Sequence, residues 1–399
     1  MRRTDDPIAR RIREMVDRVH MLRDHNWYHY LRSSDELRGS RVVVGGREML
    51  MFASYNYLGL LRHPRIDAAA RAAVDEFGSG THGVRLLAGT IRLHEELEAA
   101  ISRFKGAEAA ATYSSGYVTN LAAISALCGR HDVVLCDRLD HASIVDGCRL
   151  ALAKFERFQH NDMEDLRRRL EAQEPGAGKL VVVDAVFSMD GDVANLPVLH
   201  DLCAEFGAWL MVDEAHSVGV LGETGHGIEE HYGMHGTVDI KMGTLSKAIP
   251  SVGGYIAGDR DLVCFLKHAS RPFIFSASLP PAAAAAATEA LAVIEDEPER
   301  VRTLHSNTRH FLKSLQGRGF DTLHSATPIV PILCGTEDRA WEMARLSQEE
   351  GIFVLPVVSP AVPDGTSRLR ANVTAAHTLA EIDFAVDVFT RAAKQVGIL

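Results

Sequence analysis

Apolar residues follow two patterns along the chain, and the two alternate. In the first they recur every third or fourth position with charge between them, which predicts amphipathic helices. Such stretches cover 7–32, 63–77, 93–106, 118–128, 142–151 and 196–207. In the second they run uninterrupted for the length of a strand and then stop at acids and hydroxyls, as in DVVLCD (132–137), KLVVVDAVFSMDGD (179–192) and AWLMVDEAHSVG (208–219). Strands apolar on both faces need cover on both faces. With helices between them they predict an α/β fold around a mainly parallel sheet. AEAAATYSSG (107–116) adds a strand running into a turn, and RVVVGGREMLMF (41–52) is a hairpin with Gly45–Gly46 at its tip.

Beyond residue 280 the rhythm changes. Helices over 281–296, 299–317 and 338–351 accompany strands in PIVPILC (328–334), IFVLPVV (352–358) and SRLRANVT (367–374). The expected organisation is an N-terminal helical segment (1–44), a large domain (45–280) and a smaller C-terminal α+β domain (281–399). Ligands of open parallel sheets gather at the carboxyl ends of the strands. The polar residues that follow VVVDAV and AWLMV therefore stand where a site is built.

Composition narrows the partners. The chain has 399 residues, enough for a sizeable core, with 46% apolar and 24% charged residues, an ordinary globular balance. Its formal net charge of −10 speaks against nucleic acid or an anionic membrane, either of which needs a basic face. The short basic runs Arg2–Arg3, Arg10–Arg11 and Arg167–Arg169 read as solvated helix faces. Cys128, Cys136, Cys148, Cys203, Cys264 and Cys334 form no C-x-x-C pair, as free thiols of a reducing compartment do. No apolar run is long enough to span a bilayer, and MRRTDDPIARRIREMVDRVH lacks a secretory core. A cytoplasmic protein without a metal site is expected.

Three motifs invite chemistry. GSGTHG (78–83) matches G-x-G-x-x-G, but a helix precedes it and none opens on it, so a structural glycine loop is the better reading than an NAD site. DEAH (213–216) is spelled as in ATP-driven helicases. Its partner would be G-x-x-x-x-G-K-[ST], and the nearest stretch, GAGKL (176–180), puts leucine in place of the magnesium-binding hydroxyl. GTLSKAIPSVGGYIAG (243–258) is more telling. It sets Lys247 among small and apolar residues between the hydroxyls of Thr244 and Ser246. A lysine in such surroundings loses pKa and becomes an amine nucleophile able to form Schiff bases, with carbonyl substrates or with pyridoxal phosphate. That cofactor also needs an acid for its ring nitrogen, and Asp213, at an upstream strand end, is the candidate.

D-x-A-H-S-x-G followed by G-T-x-S-K resembles the α-oxoamine synthases, which are fold type I pyridoxal-phosphate enzymes. SYNYLGL (54–60), YSSGYVTN (113–120), DHAS (140–143), VFSMDGD (186–192) and SRLRANVTAAHT (367–378) follow in the family's order. The resemblance implies a large domain with a seven-stranded, mainly parallel sheet, a smaller C-terminal domain, and a role for each motif. Lys247 would hold the cofactor through a Schiff base and then remove the α-proton of the amino acid. Asp213 would pair with the ring nitrogen, and His216 and Ser188 would reach the phenolic oxygen. His141 would stack on the ring. Gly116 and Tyr117 would offer backbone N–H groups to the phosphate, aided by Thr244 and Ser246. Arg370 would clamp the substrate carboxylate. Arg368, on the same face of a strand, stays open as an alternative. Tyr55 and Asn56 would help shape the site. Asp140 and Ser143 read as structural neighbours of His141.

The reaction so implied is a decarboxylative condensation of a small amino acid with an acyl thioester, carried on coenzyme A or a carrier protein, to give an α-amino ketone. Serine before Lys247 and S-x-G-G after it are nearer the serine palmitoyltransferase branch, as is HGVRLLAGT (82–90), so serine is favoured. Alanine, as in 8-amino-7-oxononanoate synthase, and glycine, as in 2-amino-3-ketobutyrate ligase, are the alternatives. SPAVPDG (359–365) is similar to the mobile P-A-T-P loop of that branch, with valine for threonine. The resemblance also implies a homodimer with shared active sites, and FIFSASLPPA (273–282) would carry Ser276 and Ser278 to the partner's cofactor. A scaffold subunit without catalysis is the reading of another class, and the presence of Lys247, Asp213 and His141 speaks against it.

Overall fold

The computed structural model describes residues 6–399; the Arg2–Arg3 run lies outside them. At its centre is a seven-stranded sheet in the order Ala109–Tyr113, Gly254–Gly258, Ile240–Thr244, Trp209–Asp213, Lys179–Asp184, Val133–Asp137 and Lys154–Phe158. Six strands are parallel. Gly254–Gly258 alone runs against both its neighbours, because it returns directly from Ile240–Thr244 through the short loop that carries Lys247. Every residue of the inner strands Val133–Asp137, Trp209–Asp213 (Trp209 excepted) and Ile240–Thr244 is buried, which is why they read as unbroken apolar runs. The edge strand Lys154–Phe158 alternates charge with aromatic rings and is half exposed.

One helix contacts the sheet where the site forms. Gly116–Leu127 is apolar on nearly every side and is buried against Ala142–Leu150 and Arg271–Phe275. Its first turn lies on Gly254. A Cβ there would come within 2.4 Å of Thr119 Oγ1 and 2.8 Å of the Gly116 Cα, so only glycine lets the helix start so close to the strand.

Two smaller sheets complete the fold. Glu36–Arg38, Arg41–Val44 and Arg47–Met51 are joined in parallel by Ile352–Phe353, and Ser367–Asn372 lies between Ile329–Gly335 and Pro356–Val357. The single strand expected over 352–358 is thus two strands in different sheets. Pro356 has no N–H for a central ladder and sits on an edge strand instead. The helix expected over 7–32 ends at Asp24. Residues 25–32 turn back, and Trp27, Tyr28 and Tyr30 pack against the C-terminal core.

Packing crosses the two expected boundaries. Residue 45 is the tip of a hairpin whose Leu50, together with Phe52 just beyond it, packs with Trp341 and Phe389. Helix Pro281–Asp296 lies on Pro64–Phe77 and Arg92–Phe104, so its alanines belong to the core of the large sheet. Residues near the start of the chain therefore pack with those at its end. Among the described residues, no helix is long and apolar enough to cross a membrane.

Candidate active site

The site forms where the sheet's strands end. Trp209–Asp213 and Lys179–Asp184 pair in register, so Asp184 and Asp213 stand side by side as the apolar runs stop. Asp213 Oδ1 accepts the N–H of Ala215 at 2.9 Å, and Oδ2 accepts from Asn120 Nδ2 at 2.7 Å. The same Asn120 amide reaches Ser143 Oγ at 2.8 Å, which in turn meets His141 Nδ1 at 2.7 Å. His141 and Asp213 are thereby the two ends of one hydrogen-bonded chain. Asp184 Oδ2 accepts the backbone N–H of His141 at 2.9 Å, and Asp140 Oδ1 accepts that of Asp184 at 2.8 Å. Burial and the nearby Asp213 push the Asp184 carboxyl well up, favouring its neutral form.

A cavity of about 250 Å³ opens above these acids, lined by Gly116, His141, Ser188, Asp213, His216 and Lys247 among others. Lys247 sits half-buried in the loop after Ile240–Thr244. Burial lowers its ammonium against the pull of Asp213 and Asp184, to about 8. Its Nζ lies 5.7 Å from the centroid of the Tyr55 ring. His216 is buried, and its Nδ1 meets the Tyr57 hydroxyl at 2.8 Å. Desolvation, with Lys247 and Arg370 nearby, pushes it well below its ordinary value, so it is a neutral imidazole. His141 is exposed at the mouth, and burial of its ring edge also lowers it.

The far end of the cavity is built for an anion. Ser115 caps the helix Gly116–Leu127, leaving N–H groups of the first turn toward the cavity, and Thr244 Oγ1 and Ser246 Oγ lie 2.8 Å apart beside it. A Cβ on Gly116 would sit 3.0 Å from Thr244 Oγ1, so the bare backbone keeps that cradle open. Tyr117 turns its hydroxyl outward to Asp146. An amine of lowered pKa, a fixed carboxylate, a neutral imidazole and a helix end with two hydroxyls are the donor set that pyridoxal phosphate requires, and the cavity fits it.

The two arginines of SRLRANVT separate clearly. Arg368 is fully engaged, with Asp190, the Met189 carbonyl at 3.1 Å and the Thr366 carbonyl at 3.0 Å. Arg370 donates Nε to the Ser188 carbonyl at 2.5 Å and lies 5.0 Å from the Tyr55 ring centroid, while its buried Nη2 has no partner among the described residues. That free donor pair faces the same tyrosine as Lys247.

Five expected residues lie outside this cavity's lining: Tyr55 and Arg370 line the neighbouring groove, and Asn56, Ser276 and Ser278 lie elsewhere. Asn56 gives its side-chain carbonyl to Leu61 N–H at 3.0 Å, tying its own turn, and does not line the cavity. Ser276 and Ser278 are outside this chain's cavity too. Ser278 N–H and Oγ both meet the Gly83 carbonyl, at 3.1 and 3.2 Å. This pins GSGTHG, a loop with no strand before it, to the segment 276–278, beside the exposed Leu87 (83%) and Phe275 (74%). Glu214 of DEAH is spent on a buried ion pair with Lys105 at 2.7 Å.

Asn120, Ser143, Asp184 and Tyr57 enter the site without having been singled out as ligands. A signal existed for Asn120: it is a lone amide in an otherwise apolar helix, where a polar group needs a partner.

Behind the site, His160 bridges Asp137 at 3.0 Å and Asp192 at 2.9 Å, bracing the loop that carries Ser188. Burial opposes its charge, but the two carboxylates raise it from 6.5 to about 10. A folded value above the unfolded one gives stability that is complete below pH 6.5 and is lost as pH rises through 10. His160→Gln is expected to cost about 2 kcal/mol at pH 6.5 and much less at pH 10, read from denaturant melts at both. An equal cost at both would contradict the charged bridge.

Comparison with known proteins places this architecture. The model of the aminotransferase class I and II family matches residues 47–389. The 8-amino-7-oxononanoate synthase of Thermoanaerobacter pseudethanolicus is 43% identical over 384 residues, 96% of this chain and 97% of its own. The serine palmitoyltransferase of Sphingobacterium spiritivorum is 42% identical over 380 residues, 95% of each. Among solved structures, a lysine-to-alanine variant of serine palmitoyltransferase from S. paucimobilis with a bound pyridoxal phosphate–myriocin aldimine superposes with a TM-score of 0.95 at 34% identity, covering 99% of this chain and all of that one.

Proposed function

This chain belongs to the class I and II aminotransferase family, and from that premise we propose that it joins a small amino acid, serine foremost, to the acyl group of a thioester. It is a pyridoxal-phosphate-dependent acyltransferase, and its reaction is a decarboxylative condensation. The amino acid's α-carbon gains the acyl group, carbon dioxide and free thiol leave, and an α-amino ketone remains.

The cofactor, when bound, supplies an electron sink for the negative charge developing on the α-carbon. Lys247, Asp213, His216, Ser188, Gly116, Tyr117, Thr244 and Ser246 are the residues that would hold it. The low pKa of Lys247 suits its amine to take the α-proton and return it. Asp213, tied by Asn120 and the Ala215 N–H, would keep a proton on the ring nitrogen. Neutral His216 would offer Nε2 to the phenolic oxygen while Tyr57 fixes its Nδ1. His141, held by Ser143, would cover the open face and exclude water.

The observation that carries the substrate side is the unpartnered Nη2 of Arg370, buried and facing Tyr55 as Lys247 does. A planar fork at that place would hold a carboxylate with the bond to be broken in a fixed direction. Arg370→Lys keeps the charge and loses the fork. It is expected to raise the KM for the amino acid about 30-fold with a smaller change in kcat. Titrating holoenzyme with serine, alanine and glycine while following the visible band names the amino acid. An unchanged KM would move the clamp elsewhere.

Alanine is the second reading, supported by the 8-amino-7-oxononanoate synthases among the relatives. We also read the chain as half of a homodimer with Ser276 and Ser278 reaching the partner's phosphate site. The exposed Leu87 and Phe275 beside them support an interface there.

A further inference from the structure

Two grooves border the site, and they differ in chemistry. One, of about 1000 Å³, passes His141 and is lined by charge of both signs, with Arg138, Arg149 and Arg157 beside Asp146 and Asp364. The other, of about 640 Å³, starts at Tyr55 and Arg370 and runs beneath helix Pro7–Asp24. Met15 and Val19 of that helix form one wall and Val357 part of the other. Met189 and the segment 359–361 border both grooves, so one molecule could lie in both by crossing at that rim, next to Ser188.

The second groove has a floor. Trp341 is 2% exposed, meets Tyr30 edge-on at 5.1 Å, and Tyr30 is in turn held by its hydroxyl to the Pro356 carbonyl at 2.8 Å. Among the described residues, Arg18 is the one charged side chain on the groove's wall beyond Arg370. It is already paired with Glu337 at 2.9 Å and reaches the Ser359 carbonyl at 3.4 Å. A carboxylate at the end of a bound chain would find no free cation among the described residues of the wall, and unpaired charge is costly in apolar surroundings.

We infer that this groove receives the aliphatic tail of the acyl donor, that it selects tails without a terminal charge, and that Trp341 with Tyr30 sets the greatest length accepted. The inference rests on the condensation reading above and makes it specific. The donor lies with its tail under helix Pro7–Asp24 and its carrier in the larger, polar groove, which brings the thioester to the shared rim.

The test uses holoenzyme in two assays. Calorimetry with unreactive S-alkyl-coenzyme A thioethers of rising length should show about tenfold tighter binding for every two methylenes, then a plateau. Turnover of heptanoyl-coenzyme A should exceed that of pimeloyl-coenzyme A, the same chain ending in a carboxylate, by at least about 100-fold in kcat/KM. Trp341→Ala should move the plateau to longer chains. Because that residue is core, Val19→Phe provides a second variant, which should move it to shorter ones. Equal use of the two thioesters, a pimeloyl preference that disappears in Arg18→Met, or a plateau unmoved in folded Val19→Phe would each overturn the inference. Failure of the condensation reading looks different: no product with any amino acid and thioester. The calorimetric length series still decides the groove in that case.

Discussion

Lys247→Ala is expected to lower kcat by about 10⁴-fold, with the visible absorption of the lysine–cofactor link gone from the spectrum. Among the described residues, Lys247 supplies the only amine in the cavity lining. Two acids favour its charge and burial opposes it, leaving a value of about 8, so near neutral pH a useful fraction is free base. Alanine removes nucleophile and proton carrier together. Lys247→Arg separates charge from amine chemistry, because guanidinium keeps the positive charge beside Asp213 and Asp184 but neither forms the link nor takes a proton at this pH. Both variants should be equally inactive while folding normally. Turnover of Lys247→Ala within tenfold of the parent, measured as thiol release, would remove this residue from the chemistry.

The second large effect falls on Asp213. Asp213→Asn preserves shape and removes the negative charge, so the ring nitrogen loses the partner that keeps it protonated. Losing one member of a buried charge pair costs about 3–5 kcal/mol, which in a rate is about 10³-fold in kcat. The apo-protein should not be destabilised. Asp184, the neighbour in register, is pushed up partly by Asp213, and removing that charge relieves it. Inactive but equally or more stable protein is therefore expected, read by steady-state rates and thermal melts. A change in kcat smaller than tenfold would mean that another group holds the ring nitrogen.

The alternation of strands and helices was legible because the inner strands are buried on both faces and so written in unbroken apolar residues. Lys154–Phe158 was not, since an edge strand carries Lys154 and Arg157 toward solvent. The helix Leu379–Gln395 carries a capping box at Thr378 and Glu381, a local signal sufficient to find it that the reading passed over. In the site, the motifs brought Lys247, His141, Asp213, His216 and Ser188 to one cavity lining. Linear sequence could not separate Arg368 from Arg370, because both point to one face. What separates them is Asp190, which occupies the first and leaves the second free. Nor could it show that Ser143, set aside as a structural neighbour, joins His141 to Asn120. That link depends on the side of Gly116–Leu127 that meets Ala142–Leu150, a matter of packing between distant segments.

The parallel pairing of Arg47–Met51 with Ile352–Phe353 sets a timetable for synthesis. On the ribosome the hairpin emerges early, and its partner strand follows about 300 residues later, a wait of about 15–60 s at about 5–20 residues per second. Through that interval Leu50 and Phe52 have no cover, although both are buried in the finished protein. The nascent chain thus presents a sticky strand edge for nearly its whole synthesis. Slowed translation between the two segments should raise its demand for holding chaperones more than slowing after Phe389, whose ring completes the cover of Phe52.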